Sequence, residues 1–477
     1  MLQFSKKIIP AYTFDDVLLT PSKSDIYSRK DGSISLETFF SRRIKLRNPI
    51  VSANMDTVTE SKMAQFMAES GGIGIIHRYL TIERQAEEVR KVKRAESTII
   101  DDPYTISVNS SAQMAADLME IKNVSGLIVL DVEKKIAGII TNRDLRSADT
   151  LDVPITEVMT EKVITAQRGI SMQDAKKILR KNHIEKLPLL DSSGLLCGLI
   201  TLRDILKQSR GVSAAKDSKG RLLVGAAVGV KDTEKRARAL IDAGVDVLVV
   251  DIAHGHNQRA IEAVASLKNK FREIDIVGGN VATPGGVADM IHAGADAVKI
   301  GVGPGASCTT RIVAGVGVPQ ISAILECFEV SQLFKIPIIA DGGINFSGDV
   351  GKALAAGASS VMIGSLFAGT DESPGKREFE NGKTFKVYRG MASREASEDK
   401  ARIDKEEGSD DRTPEGKSGR VPYIGSAKVV LDDLLGGLLS SMSYLGAKNL
   451  TKFEENALFR LQTSAGIRES NTRLDKI

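Results

Sequence analysis

The chain has 477 residues, 42% of them hydrophobic and 26% charged, which exceeds the needs of one core and fits two or three domains of an ordinary globular protein. Its 65 basic and 61 acidic residues leave a net charge of +4, interspersed along the chain, so specific nucleic-acid binding is not expected. No run of about 18 apolar residues occurs, and the opening MLQFSKKIIPAYTF lacks a signal peptide's apolar stretch and cleavage site, so neither membrane nor export is expected.

Residues 48–55 (NPIVSANM) read as a first buried strand, 61–70 as a helix, 71–77 (GGIGIIH) as a second strand and 81–94 as a helix. This alternation predicts a parallel sheet wrapped by helices. It breaks near residue 97 and resumes after about 211, where an internal repeat intervenes. GIITNRDL (138–145) recurs as GLITLRDI (198–205), offset by 60 positions, each copy preceded by a helical segment and a short apolar strand. A repeat of this size predicts two paired modules sharing a core.

From residue 221 the alternation returns with six more apolar runs: 222–228, 245–251, 275–281, 295–301, 337–343 and 360–365. Two strands before the insertion and six after it predict a (β/α)8 TIM barrel interrupted by the repeated pair. Asp251, Asn280, Cys308, Asp341 and Ser365 then fall just past strand C-termini, where barrels carry their chemistry. In 301–320 (GVGPGASCTTRIVAGVGVPQ), Gly301, Gly303 and Gly305 permit a tight loop, and Cys308 sits among hydroxyls, backbone dipoles and Arg311. That setting suits a nucleophilic thiol; the alternative is an inert buried cysteine. Three cysteines without CxxC spacing form no disulfide framework, so a reducing, cytoplasmic setting is expected. Asp341-Gly342-Gly343 and Gly364-Ser365, ending the seventh and eighth strands, suit a phosphate monoester. Residues 392–420 read as a flap, with the charged stretch 398–412 mobile or disordered. Residues 431–445 read as a helix.

TFDDVLL, MDTVTE, GIIH, AHGH, GGNVAT, the cysteine loop, DGGI, SGD and YRGM occur in this order and, with the inserted pair, resemble the IMP dehydrogenase and GMP reductase family nearly end to end. The repeated modules resemble tandem CBS domains, residues 97–211, lying between barrel segments 1–96 and 212–477. The resemblance implies that Cys308 attacks C2 of a purine nucleotide, that hydride passes between C2 and a nicotinamide, and that Thr310 and Arg412 serve the step with water. It implies that Asp341 holds the ribose, while Gly343, Gly364, Ser365 and Tyr388 hold the phosphate and Ser52, Met55, Gly390, Met391 and Glu415 line the base. Asp251 and Asn280, with Gly301 and Gly303, would meet NAD, or NADP in a reductase. Carbonyls of Gly303, Gly305 and Cys308 would bind K⁺, completed by Glu469, Ser470 and Asn471 of a neighbouring subunit, which implies a homotetramer and through the modules an octamer. Thr141, Asp144, Thr201 and Asp204 would hold the ribose of adenine or guanine nucleotides.

The direction of the reaction divides the family. Dehydrogenases carry Arg-Tyr-Phe-Gln in the flap; here Arg412 is followed by Thr413, while Asn54 and Glu395 are closer to the reductase pattern and Asn471 stands in place of a common His. The inserted pair, MDTVTE, AHGH and AGIRES favour the dehydrogenase, with GMP reductase as the alternative and an adenylate-sensing regulatory protein as a third reading.

Overall fold

The computed structural model describes residues 8–29, 32–95, 100, 103–122, 124–202, 214–404 and 413–470. Arg412, Asp204 and Asn471 lie outside these residues.

The apolar runs form strands β1 (Ile50–Ser52), β2 (Ile73–Ile76), β3 (Gly225–Val228), β4 (Val247–Asp251), β5 (Asp275–Val281), β6 (Ala297–Ile300), β7 (Ile338–Asp341) and β8 (Ser360–Ile363). They close an eight-stranded barrel in sequence order. Each pair is parallel, including the two that bridge the chain's early and late parts, Val361 with Ile50 and Gly225 with Ile75. Nearly every strand residue is buried, because the inner face packs on itself and the outer face on helices. Val51, Ile73, Ile75, Ala227, Val247, Val249, Val277, Ala297, Ile339 and Met362 fill the interior, joined by Phe40 and Leu46 from the hairpin preceding β1.

The chain divides into two compact units, the second comprising Arg94–Val212 and Ser218–Arg221. Within the second, the sequence repeat is a structural repeat. The first module joins the helix Ala112–Lys122 to strands Thr105–Ser107, Gly126–Leu130 and Ile136–Thr141. The second joins Met172–Lys181 to Ala166–Gln167, Lys186–Leu190 and Leu196–Thr201. Leu127 pairs with Ile140 in one and Leu187 with Ile200 in the other, and both ladders shift register at the same place, Val129/Leu130 and Leu189/Leu190.

One expectation is corrected. The stretch 398–412, expected to be mobile or disordered, opens inside the helix Arg394–Asp404. Its low apolar content is offset by one well-placed anchor: Ala396 is fully buried, and its amide is capped by Ser393 Oγ at 3.3 Å. Asp399 adds an ion pair to Arg389 at 2.8 Å. The helix Ala427–Tyr444 begins four residues earlier than expected, capped by Ser426. No helix among the described residues is long and apolar enough to cross a membrane.

Candidate active site

Cys308 stands in the loop after β6, half-buried, with its amide donating to the Gly305 carbonyl at 2.9 Å. Its thiol donates to Thr310 Oγ1 at 3.2 Å, and Thr310 Oγ1 donates to Glu415 Oε2 at 2.7 Å. Glu415 comes from a strap 105 residues further along the chain. Backbone bonds hold that strap against the loop: Thr309 N to Glu415 O at 2.8 Å, Lys417 N to Ser307 O at 2.9 Å, Glu415 N to Ala392 O at 3.1 Å. Cys308 and Gly416 are thereby paired as a β-bridge. The result is a line of hydrogen bonds from thiol through hydroxyl to carboxylate. A proton can leave the sulfur along it and be returned.

The same mouth holds the phosphate-loop candidates. Gly342 and Gly343 adopt φ of +90° and +86°, a region that disfavours side chains. A Cβ at Gly364 would lie 2.9 Å from Met55 Sδ and 3.4 Å from Tyr388 Oη, so this glycine keeps the floor of the site open. Tyr388 is buried, and burial raises its phenol above the ordinary range, keeping it a neutral donor. Its hydroxyl accepts from Ser307 Oγ at 3.5 Å and reaches Met55 Sδ at 3.8 Å. Met391 Sδ accepts the Asp56 amide at 3.4 Å, and a Cβ at Gly390 would lie 3.0 Å from Ser307 Oγ. Met55, Ser307, Gly364, Tyr388, Gly390 and Met391 are thus brought together beside Cys308.

Across the mouth lies a buried charge cluster centred on Lys299, which projects from β6 and is 2% exposed. Its ammonium donates to Asp251 Oδ1 at 3.0 Å and to Asp341 Oδ2 at 2.6 Å. Burial works against that charge, yet the two carboxylates outweigh it and hold Lys299 above its ordinary pKa. Burial likewise works against Asp251, but Lys299 and Arg78 hold it below the usual carboxylate value, with a further hydrogen bond from Asn54. Asn280 Nδ2 donates to Gly301 O at 2.8 Å and to Asp341 Oδ2 at 2.9 Å. Asp251, Asn280 and Asp341, on three different strands, therefore share one network.

One of the expected residues sits elsewhere. Ser52 is fully enclosed, its hydroxyl accepting from Thr59 at 2.9 Å, so it braces the loop after β1 and presents nothing to the mouth. Glu395 is exposed and accepts from Ser418 Oγ at 2.6 Å, apart from the thiol line. Glu415, expected at the base, is bonded to Thr310 and joins the proton path. In the cysteine loop the carbonyls of Gly303 and Cys308 take no backbone donor among the described residues, while Gly305 O accepts one. Glu469 and Ser470 close the exposed helix Ser464–Glu469. Thr141 N and Oγ1 both donate to Asp144 Oδ2, at 2.8 and 2.7 Å, which caps the start of the helix Asn142–Ser147 within the first repeat. Thr201 ends the equivalent strand.

Sequence reasoning missed Lys299, Arg389 and Gln320. Lys299 was visible as the one charge inside an apolar strand. Arg389 pairs with Asp56 at 2.5 Å and Asp399 at 2.8 Å, tying β1's loop to the helix Arg394–Asp404. Gln320 donates to the carbonyls of Ile300 and Asp341 at 2.9 and 3.2 Å, joining the loops of β6 and β7.

A TIM barrel with a cysteine hydrogen-bonded through Thr310 to Glu415, glycine loops after β7 and β8 and an inserted module pair defines a class: barrel oxidoreductases that act on a nucleotide. Residues 11–473 match the IMP dehydrogenase / GMP reductase domain, and the chain belongs to that family. It is 50% identical to the inosine-5'-monophosphate dehydrogenase of Aquifex aeolicus, over 99% of this chain and 97% of that one. It is 51% identical to the corresponding enzyme of Nitrosopumilus maritimus, over 96% and 97%. Among solved structures, an alanine variant of GMP reductase from Trypanosoma brucei bound to guanosine 5'-monophosphate superposes with a TM-score of 0.93 at 42% identity, covering 100% of both chains.

Proposed function

We propose that the chain is an NAD-dependent IMP dehydrogenase. The observation that carries this reading is the unbroken line Cys308–Thr310–Glu415, set in a barrel half identical to named dehydrogenases along its whole length. Cys308, its proton passed through Thr310 to Glu415, attacks C2 of IMP. The nicotinamide, when bound, would accept the C2 hydride, leaving a thioimidate on the Cys308 sulfur. Water then adds to C2, the C–S bond breaks, the thiol is restored and XMP departs. The balance is IMP, NAD⁺ and water giving XMP, NADH and a proton. Arg412 is assigned to activating the water. The cofactor supplies the hydride acceptor; Asp251 and Asn280 would hold its nicotinamide ribose, with Gly301 and Gly303 beside it. Asp341 takes the substrate ribose, Gly343, Gly364, Ser365 and Tyr388 its phosphate, and Met55, Gly390 and Met391 its base.

The neutral carbonyls of Gly303, Gly305 and Cys308 suit K⁺, a cation that exchanges its water shell for such dipoles. They need further oxygens, which Glu469, Ser470 and Asn471 of a neighbour would provide. Exposed Ile312, Val313 and Val316, immediately beyond this loop, support such an assembly of four subunits. Residues 97–211 are assigned as a nucleotide-binding CBS pair, and the cytoplasm as the setting for the free thiol.

A second reading, GMP reductase, is favoured by a specific feature: Thr413 follows the flap arginine where dehydrogenases have tyrosine, and a reductase superposes over the full chain. In that direction Glu415, protonated through Thr310, would supply the proton to departing ammonia. The two are separated by following reduced nicotinamide absorbance in both directions with K⁺ present. IMP and NAD⁺ yielding NADH and XMP establishes the dehydrogenase. NADPH consumed with GMP, releasing ammonia and IMP, replaces it with the reductase.

A further inference from the structure

Arg78 follows β2 at the barrel mouth, and beyond its charge on Asp251 the site described above gives it no role. Its side chain packs against the backbone of Gly229, just past β3: a Cβ there would lie 3.3 Å from Nη1 and 3.4 Å from Cζ. Its charge lowers the pKa of Asp251 at the end of β4, although no oxygen of that residue comes within ion-pair distance. The guanidinium rests on the Tyr79 ring, Cζ 5.2 Å from the centroid. Nε is buried and finds no acceptor among the described residues. Leaving a buried donor of a cation unmade costs more than making it gains, so such a group is stable where a partner arrives from outside. The planar fork of an arginine matches two oxygens of a phosphate or carboxylate.

The placement selects between those anions. The mouth has two halves. Cys308, Gly343 and Gly364, past β6, β7 and β8, form the half assigned to the nucleotide substrate, whose phosphate is already provided for. Gly229 and Arg78 lie past β3 and β2, and Asp251 ends β4, on the half left to the cofactor. Asp251, an acceptor, suits ribose hydroxyls; the next polar group of a nicotinamide nucleotide is the phosphate ester on that ribose. Arg78, past β2, lies against Gly229 past β3, and β3 is the strand beside that of Asp251.

We propose that Arg78 binds the pyrophosphate of the nicotinamide dinucleotide, with Gly229 small so that its guanidinium can lie flat on the rim. This rests on the assignment of Asp251 to the cofactor. Both NAD and NADP carry the pyrophosphate, so the inference is independent of which is used and of the direction of the reaction.

The test compares Arg78→Gln and Arg78→Lys with the parent, using the dinucleotide and nicotinamide riboside, which has no phosphate, as alternative hydride carriers. Arg78→Gln is expected to raise KM for the dinucleotide by about 10- to 100-fold, the worth of a charge-assisted contact. KM for the purine nucleotide and turnover with the riboside should stay at parental values, and Arg78→Lys should fall between. An unchanged KM for the dinucleotide overturns the proposal. So does an equal loss with the riboside, which would make Arg78 a support for Asp251. If the parent transfers no hydride in either direction, the functional reading has failed. The dinucleotide is then titrated calorimetrically onto parent and variant with purine nucleotide bound, and weaker binding by the variant still upholds Arg78. Intact purine-nucleotide binding by the variant shows that it has folded.

Discussion

Lys299 illustrates how single residues set the site. A buried ammonium is tolerable only if its partners outweigh the lost hydration, and here two carboxylates do so. Asp251, held below its ordinary value, contributes stability that is present above the unfolded carboxylate pKa of about 4 and lost as pH falls through its folded value. Lys299→Met removes the larger opposing charge and leaves Arg78 and Asn54 alone against burial, so Asp251 moves up. The stability it contributes above the unfolded carboxylate pKa should shrink, and the loss of stability on acidification should be smaller in the variant than in the parent. Breaking such a buried pair costs about 3–5 kcal/mol. Melting temperature against pH checks the slope, and a variant that parallels the parent would refute the account. The thiol line makes a second prediction. Thr310→Val and Glu415→Gln should each lower kcat by about 100-fold or more while nucleotide binding persists, and Cys308→Ala should end turnover altogether. Mass spectrometry of the trapped adduct separates loss of attack from loss of binding. Much of this was legible: the cysteine, its hydroxyl neighbours and the glycines are contiguous. The partners were not, because Lys299 meets residues 48 and 42 positions away and Thr310 one 105 positions away, and only the fold supplies those pairings.

At the scale of elements, the strands were readable because burial on both faces writes an unbroken apolar run, and each begins or ends within a few residues of its expected place. The helix Arg394–Asp404 was not, since its stability comes from Ser393, Ala396 and the Arg389–Asp399 pair, contacts that composition hides. Beyond it, the strap carrying Glu415 depends on close backbone approach. A Cβ at Gly416 would lie 2.9 Å from the Ser393 amide and 3.1 Å from the Ala392 carbonyl carbon, both backbone atoms unable to yield cheaply. Gly416→Val should therefore lift the strap from Cys308, reducing kcat by about 10- to 100-fold, as expected when a catalytic group is displaced by about an ångström. The barrel, whose closure does not involve this residue, should keep its melting temperature. A variant with normal kcat would show that Glu415 reaches Thr310 without the strap's pairing.

For the molecule as a whole, the closed barrel draws every strand from the first unit, with β1 and β2 supplied before the insertion and the other six after it. The points where the chain leaves and re-enters are held together from within that unit. Lys93 Nζ reaches Asp217 at 3.1 Å, Asp246 at 2.6 Å and the Leu222 carbonyl at 2.8 Å, while Ala215 N bonds Ala68 O at 2.8 Å. Lys93 is 4% exposed, so this junction is part of the barrel's own packing. A barrel that already brings both ends to one place pays little loop-closure entropy when the intervening chain is shortened. Replacing residues 97–211 by a short Gly/Ser linker should leave a folded barrel whose kcat and KM stay within about threefold of the parent, because independent domains carry their own cores. The module pair, folded around its own two clusters, should account for any response of the full chain to adenine or guanine nucleotides, and that response should vanish in the shortened chain. Steady-state rates of both proteins, with and without added nucleotide, decide the matter. If the shortened barrel folds but is inactive, the modules hold the active site in its working shape; if it stays responsive, the regulatory nucleotide binds the barrel.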